Sequence, residues 1–398
     1  MTTVFTILAI ICIFGLPVPI VRLTRKNRIL GAIGAITCCY LVGFAFSVIG
    51  FTGVSYDKGL TTTIAYVLVA LSIPLILFSI DLRLVRKLTK MTFAGYMLCI
   101  VAVVIISFGM FFTTRNFFPS VNFSAMIVGL YTGGTPNMNA IGAAMGAEST
   151  VLSAANVSDT IVGGIYFLLL ISVAPKAYRF LLKRRKKQQN TEHDTAGAEV
   201  KEAQFEGASD DFRFGISRKD KRGILKLVGA FFLAVLCLGI GVLLEVLIEG
   251  TVGENLLYIL LSVSVLGVVL SFIRPVREVK GQYTLGMYLV LMLSLALSMS
   301  IDWSVFLTDM LPALVFFACA QVSVILLHVL LCKIFGVDGD TAIITSTAGV
   351  YGPPFIAPVA KAANRPDLIA PGVICGALGL AIGTLLGGAV GQILLLFV

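Results

Sequence analysis

Apolar runs, each near the roughly 20 residues that a spanning helix requires, recur along this chain and leave little material for a soluble core. They cover approximately residues 3–21, 29–50, 61–80, 91–112, 150–174, 224–247, 255–273, 283–301, 311–335 and 368–397. In lipid every backbone polar group must be satisfied within the protein, so such runs become helices. Charged residues make up 13% of the chain, against about 25% in soluble domains. The expected fold class is an all-α polytopic membrane protein.

Basic residues punctuate the runs in five clusters. These are Arg22, Arg25, Lys26 and Arg28; Arg83, Arg86, Lys87 and Lys90; Lys183 to Lys187; Arg218 to Arg222; and residues 274–280. Short basic clusters beside apolar spans mark the cytoplasmic face. The net charge of +9 is therefore a topology signal, and no basic domain exists to dock nucleic acid. The loops Phe51–Leu60, Thr113–Val121, Ile248–Asn255 and Ile301–Asp309 hold only Lys58 and Arg115 as bases and fall outside. Residues 176–222 are polar without apolar periodicity. They read as a cytoplasmic basic linker between an N-terminal membrane repeat, 1–175, and a C-terminal inverted repeat, 223–398. Met1–Ile20 lacks the basic start of a signal peptide and reads as a retained first helix. The expected location is the cell (inner or plasma) membrane, multi-pass, with both termini outside.

Two further apolar segments, 122–147 and 340–363, carry polar breaks. The first is Thr132-Gly133-Gly134-Thr135-Pro136-Asn137 and the second Ser346-Thr347-Ala348-Gly349-Val350-Tyr351-Gly352-Pro353-Pro354. Paired interruptions of hydrophobic segments are the best sequence pointer to the substrate site of a secondary transporter. Charge parity fixes how they run. Between the basic clusters at 83–90 and 183–187 the chain must cross an even number of times, yet three apolar segments intervene. The broken segment is thus a re-entrant hairpin entered from outside. The second enters from the cytoplasm, with Lys361 and Arg365 just beyond it. Each half then has about five transmembrane helices plus one broken or re-entrant helix, and the odd count inverts the second half. The alternative, full crossing by both broken segments, strands basic clusters outside. A shift of 219 lays Gly133 on Gly352, Gly164 on Gly383 and Asp159 on Leu378.

The breaks supply the candidate solute-binding residues: Thr132, Gly133, Gly134, Thr135, Pro136, Asn137 and Asn139 in the first, and Ser346, Thr347, Gly349, Tyr351, Gly352, Pro353 and Pro354 in the second. Glycines permit positive φ and close backbone approach, and proline stops helix continuation. Half-helix ends aim N–H groups at anions or carbonyls at cations. Tyr351 reads either as a gate or stacking surface or as an interfacial aromatic. Asp159 lies well inside a span near the first break, and an intramembrane carboxylate marks a functional site by default. Ser153, Asn156, Asp159 or Thr160, and Gly163 share one helical face. Asp159, Asn156 and Ser158 form the candidate ion site for Na⁺ or H⁺, with a structural hydrogen bond as the plainer role for Asp159. No other metal and no cofactor is expected.

Other polar residues in the runs read as structural. Glu245 lies near an outer end within reach of the interface, His328 makes a satisfied polar contact, and Asp81 is a solvated helix end. Asn156-Val157-Ser158 matches a glycosylation sequon inside a helix and is set aside. Gly336-Val337-Asp338-Gly339-Asp340 approximates an intramembrane-protease motif but has its first glycine one place early and no Tyr-Asp partner. Gly379, Gly383, Gly387 and Gly391 form a ridge for close helix packing. The eight cysteines sit in apolar runs as small hydrophobes.

The runs Thr132-Gly-Gly-Thr-Pro-Asn-Met-Asn-Ala and Leu152-Ser-Ala-Ala-Asn-Val-Ser-Asp, with Gly352-Pro-Pro, Pro371-Gly-Val-Ile-Cys-Gly and Ala381-Ile-Gly-Thr, resemble the bacterial membrane proteins grouped as domain of unknown function 819. The similarity covers nearly the whole chain. That family is more distantly similar to glutamate:sodium symporters and to bile-acid-symporter-like and cation/proton-antiporter-like transporters. The resemblance implies paired inverted repeats, elevator-type scaffold and core domains, and a homodimer. The chain has Gly-Gly-Thr-Pro and Gly-Pro-Pro where glutamate symporters carry a plainer Gly-Gly-x-Gly.

The expected function is secondary active transport, Na⁺- or H⁺-coupled, of a small organic solute such as a carboxylate or amino acid, by symport. An uncoupled channel or facilitator, or a membrane sensor or partner subunit with the linker as output, is the alternative. No nucleophile–base pair or metal-ligand set in the spans suggests an enzyme.

Overall fold

The computed structural model describes residues 2–27, 30, 34–48, 56–117, 120–182, 212, 214–216, 220–250, 256–301 and 303–398. The clusters at 183–187 and at Arg218–Lys219, Arg28, and most of the 176–222 linker lie outside the described residues.

Every expected span forms helix. α1 (Thr2–Gly15) and α2 (Pro17–Lys26) meet at a 45° bend where Pro17 opens α2. α3 (Ala35–Val48), α4 (Lys58–Phe78) and α5 (Lys90–Thr114) follow. The first broken segment is α6 (Ser120–Gly133) and α7 (Thr135–Ala144), followed by α8 (Ser149–Ser172) and α9 (Ala174–Leu181). The second half holds α10 (Lys221–Glu249), α11 (Leu256–Ser271), α12 (Gln282–Met299) and α13 (Trp303–Phe335). Its broken segment is α14 (Gly339–Tyr351), a 3-10 turn Pro353–Phe355 and α15 (Ile356–Ala362), before the final α16 (Ile369–Leu395). Among the described residues, 7 helices are long and apolar enough to cross a membrane, up to 8 with the bent pair; Ala35–Val48 and Leu256–Ser271 are shorter apolar helices. Some helix starts carry side-chain caps. Asp57 accepts from Leu60 N, Asp220 from Gly223 N and Asp338 from Thr341 N at 2.9, 2.9 and 3.0 Å, satisfying donors that the first turn leaves unpaired.

Packing cuts across the two sequence halves. α1 to α4 pack with α10 to α12, while α5 to α9 pack with α13 to α16. The groups meet where α4, α11 and α12 touch α7, α8 and α16.

Both broken segments fold back on themselves. In the first, a β-carbon on Gly129 would meet the Asn137 carbonyl at 3.0 Å, and one on Gly142 the Met126 sulfur at 3.1 Å. α6 and α7 therefore lie antiparallel, side by side. In the second, Arg365, just past α15, pairs with Asp340 in the first turn of α14 at 2.9 Å. The two ends of that segment emerge together.

One face of α16 orders both hairpins. Starting at its N-terminal end, a β-carbon on Gly372 would strike Ile356 in the body of the second hairpin at 2.7 Å, and one on Gly376 the Pro353 nitrogen at that hairpin's tip at 2.8 Å. Gly379 then abuts Thr132, and Gly383 Asn137, at the tip of the first hairpin. A β-carbon on Gly387 would lie 3.2 Å from Ala125 O, and one on Gly391 2.6 Å from the Met145 sulfur and 3.1 Å from Ala125 Cβ, near the first hairpin's mouth. The two hairpins thus approach from opposite ends of α16 and bring their tips together near its middle. The glycine ridge read from sequence, Gly379 to Gly391, carries the first hairpin; Gly372 and Gly376, outside that ridge, carry the second.

Three expectations change. The two breaks correspond at a shift of 218, not 219: Gly134 and Gly352, 218 positions apart, share one conformation, φ 87°, ψ −177° and φ 74°, ψ −168°. The helix ends Gly133 and Tyr351, and Ala144 and Ala362, repeat that spacing. Matching glycines by identity is blind to which one carries positive φ; on the corrected register Asp159 lies opposite Ala377. Glu245 does not reach the interface: it is fully buried on the inner face of α10. Asp81 is not merely solvated, since it pairs with Arg277 at 3.3 Å and caps Arg83 N at 3.1 Å.

Candidate functional site

The two tips touch. A β-carbon on Gly349 of α14 would lie 2.8 Å from the Tyr131 carbonyl oxygen of α6, and one on Gly134 would lie 3.8 Å from the Tyr351 carbonyl oxygen. Gly134 and Gly352 take the region with φ positive and ψ near 180°, which is essentially restricted to glycine. Each is followed by proline within two residues, Pro136 and Pro353, so each half-helix restarts where no N–H is needed.

α8 runs past both tips. Asp159, near its middle, accepts a hydrogen bond from Thr135 Oγ1 at 3.1 Å. One turn on, Gly163 gives its carbonyl to the Tyr351 hydroxyl at 2.6 Å. Residues of both breaks thus hydrogen-bond to α8 within one turn. Asp159, Thr135 and Tyr351 are half-buried rather than sealed. The phenols of Tyr40 on α3, Tyr131 on α6 and Tyr351 on α14 lie within electrostatic reach of the Asp159 carboxylate.

The remaining candidates divide by what their side chains do. Asn137 is turned onto α16: its Nδ2 donates to Gly379 O and Leu380 O at 3.3 Å each, and its Oδ1 accepts from Thr384 at 3.0 Å. Asn139 and Asn156 form a reciprocal amide pair between α7 and α8, at 3.2 and 2.6 Å. Thr132 returns its hydroxyl to Val128 O, while its carbonyl accepts from Tyr96 at 2.8 Å. Gly133 presses on the Gly379 carbonyl oxygen, 2.5 Å from where a β-carbon would stand. Thr347 returns its hydroxyl to Ile343 O at 2.7 Å. Ser346 is buried beside the phenols of Tyr166 and Tyr178. Pro354 lies in the 3-10 turn Pro353–Phe355. Ser158 is fully buried, and its Oγ has no hydrogen-bond partner.

The family model described as "Protein of unknown function (DUF819)" matches residues 9–397. The chain belongs to this family. It is also similar to the "Uncharacterized membrane protein YjcL" of Bacillus subtilis (strain 168), 24% identical over 330 residues, which cover 81% of this chain and 81% of that relative.

In this DUF819 protein the sequence reading missed two features. Gln321 on α13 is 2% exposed, and its amide lies against the Tyr351 hydroxyl. That hydroxyl donates its own proton to Gly163 O. A glutamine alone in an apolar run was the available signal. The second feature is the charged cluster at the mouth of the second hairpin. Asp340 is buried between Arg179 at 2.6 Å and Arg365 at 2.9 Å, and Arg365 also holds Asp367 at 2.7 Å. Those hydrogen bonds hold the Arg365 guanidinium protonated, the Asp367 carboxylate contributing most and burial opposing it. His328 makes the polar contact read from sequence, Nε2 to Gly95 O at 3.0 Å.

Proposed function

We propose that this protein is a secondary active transporter for a small organic solute, coupled to Na⁺ or H⁺ and working by alternating access. The observation that carries the proposal is the meeting of two oppositely entering hairpin tips beside a half-buried carboxylate, Asp159. Non-helical backbone at membrane depth is tolerated where it is buried in protein or lines a cavity, and transporter sites lie where such broken helices face each other. Among the described residues no lysine or arginine forms an ion pair with Asp159, so a cation or a proton is the natural counterpart of its charge. In this reading Ser158 and Thr135 assist the coupling cation, and Gly134, Gly352, Tyr351 and their neighbours shape the solute site.

The same reading treats the halves as inverted repeats. The α5–α9 and α13–α16 group is an elevator-type core that moves against a scaffold of α1–α4 and α10–α12, and two copies pair as a homodimer in the cell membrane. Purified protein in liposomes, given imposed Na⁺ or proton gradients and a panel of labelled solutes, tests it. Gradient-driven accumulation by wild type is expected. Flux that follows only the solute's own gradient would make the protein a facilitator and sink the coupling.

A further inference from the structure

The half-buried site beside the tips is chemically one-sided. Its formal charge is the Asp159 carboxylate. The interiors of the helices around it, residues 120–144, 149–172, 310–332, 339–360 and 369–395, contain no lysine or arginine. The nearest basic cluster, Arg179 and Arg365, is committed to Asp340 and Asp367 at the mouth of the second hairpin. The histidine of α13, His328, is turned to Gly95 of α5.

On the second tip the wall is aromatic. The Tyr351 ring lies 6.0 Å from Tyr166, nearly parallel at 17°, 6.0 Å from Phe167 and 5.0 Å from Phe355, with Phe167 and Phe355 themselves 5.0 Å apart. Tyr351, Phe167 and Phe355 are half-buried, as Asp159 is. The hydrogen bond from the Tyr351 hydroxyl to Gly163 O fixes how that ring stands over the turn of α8 that carries Asp159. The buried Ser158 Oγ, on the residue next to Asp159 in α8, is left without a partner. Buried polar groups are normally paired, and such an orphan asks for a reason.

We propose that the transported solute bears an amine or another organic cation, its charged head held between the Asp159 carboxylate and the face of Tyr351, with the Gln321 amide receiving a further polar group. A cation within about 6 Å of an aromatic centroid gains from the ring quadrupole, most where water is excluded. A simple carboxylate would meet Asp159 as a like charge with no basic residue to offset it. Because one carboxylate serves both cations, solute and coupling ion occupy it in turn, and the cycle is an exchange. This inference rests on the transport reading for the word "transported"; the recognition chemistry stands on its own.

The test is direct binding to the purified full-length protein, by calorimetry and thermal shift, of butylammonium, phenethylammonium and putrescine against butyrate, 3-phenylpropionate and succinate. At least one amine is expected to bind and none of the acids. Asp159→Asn should remove amine binding. Tyr351→Leu should weaken it about tenfold, the size of a desolvated cation–π contact, and Tyr351→Phe should restore most of it. The Tyr351 pair keeps the test decisive should Asp159→Asn fail to fold. Binding of the acids, equal amine binding by Asp159→Asn or Tyr351→Leu, or no amine binding at all would overturn the proposal. Amine binding without gradient-driven flux would defeat the transport reading alone. Coupled uptake of an acid would defeat this inference and leave transport intact.

Discussion

Thr135 donates its hydroxyl to Asp159 Oδ2 at 3.1 Å, so the first residue of the restarted half-helix α7 is tied to the carboxylate of the helix that follows it. The hydrogen bond crosses from a hairpin tip to a continuous span. Displacement of either partner disturbs the carboxylate's charge environment, which is how a binding event at the tips would be felt by the ion.

Replacing Asp159 by Asn should abolish flux driven by Na⁺ or proton gradients. Thr135→Val should keep coupling but lower cation affinity about tenfold or more, the worth of a hydrogen bond to a charged group. Titrating Na⁺ and pH against initial rates in liposomes separates the two. Full gradient dependence in Asp159→Asn would remove this residue from the ion site.

Gly134→Ala and Gly352→Ala each force a β-carbon into backbone reserved for glycine, at about 1–3 kcal/mol. Both variants should melt earlier and lose transport together. Gly164→Ala, where nothing stands within 4 Å of the new carbon, is the control and should melt like wild type.

Along α16 the sensitivity should follow the ladder. Gly379→Ala drives a methyl into the Thr132 carbonyl and the Tyr96 hydroxyl, an overpacking worth about 1–3 kcal/mol or more. Gly239→Ala on α10 meets nothing within 4 Å. Melting curves of the two variants in detergent should differ clearly; coincident curves would mean the tip and α16 are not in contact.

The opposed mouths of the hairpins can be read from outside the cell. Glu148, just beyond the first hairpin, and Lys361, at the end of the second, are both exposed. In intact cells a membrane-impermeant maleimide should label Glu148→Cys and spare Lys361→Cys, with the reverse preference in inside-out vesicles. Labelling of both from one side would contradict opposed hairpins.

Asp340→Ala should destabilise more than Arg365→Ala or Arg179→Ala. Removing the shared carboxylate leaves Arg179 without its ion pair and Arg365 with Asp367 alone, and breaking a buried pair costs about 3–5 kcal/mol. Arg179 is the most exposed of the three, its side chain 27% accessible against 4% for Asp340, so its loss should be mildest. A double-mutant cycle over Asp340 and Arg365 measures the coupling.

Much of this architecture was legible because it depends on local composition. Span lengths follow from hydropathy, and the fold-back of both broken segments followed from where basic residues can sit. The α16 ridge was visible because glycine every fourth residue has few other uses in an apolar helix. What was hidden depends on distant partners. Asn137 looked like a ligand group, yet it is held by carbonyls some 240 residues away. Gln321 drew no notice because one amide in a long apolar run has no pattern around it. Asp340 looked like a motif fragment until Arg179 and Arg365 were seen beside it. The register failed by one because a letter match cannot tell a helical glycine from one with positive φ.

The line of absent side chains on α16 also sets a mechanical condition. Both hairpins bear on the same rod, at stations that run from one mouth through both tips to the other mouth. A tilt of either tip toward its own side of the bilayer would lever that rod against its counterpart. In the transport reading the two tips and the site between them would therefore have to move as one block.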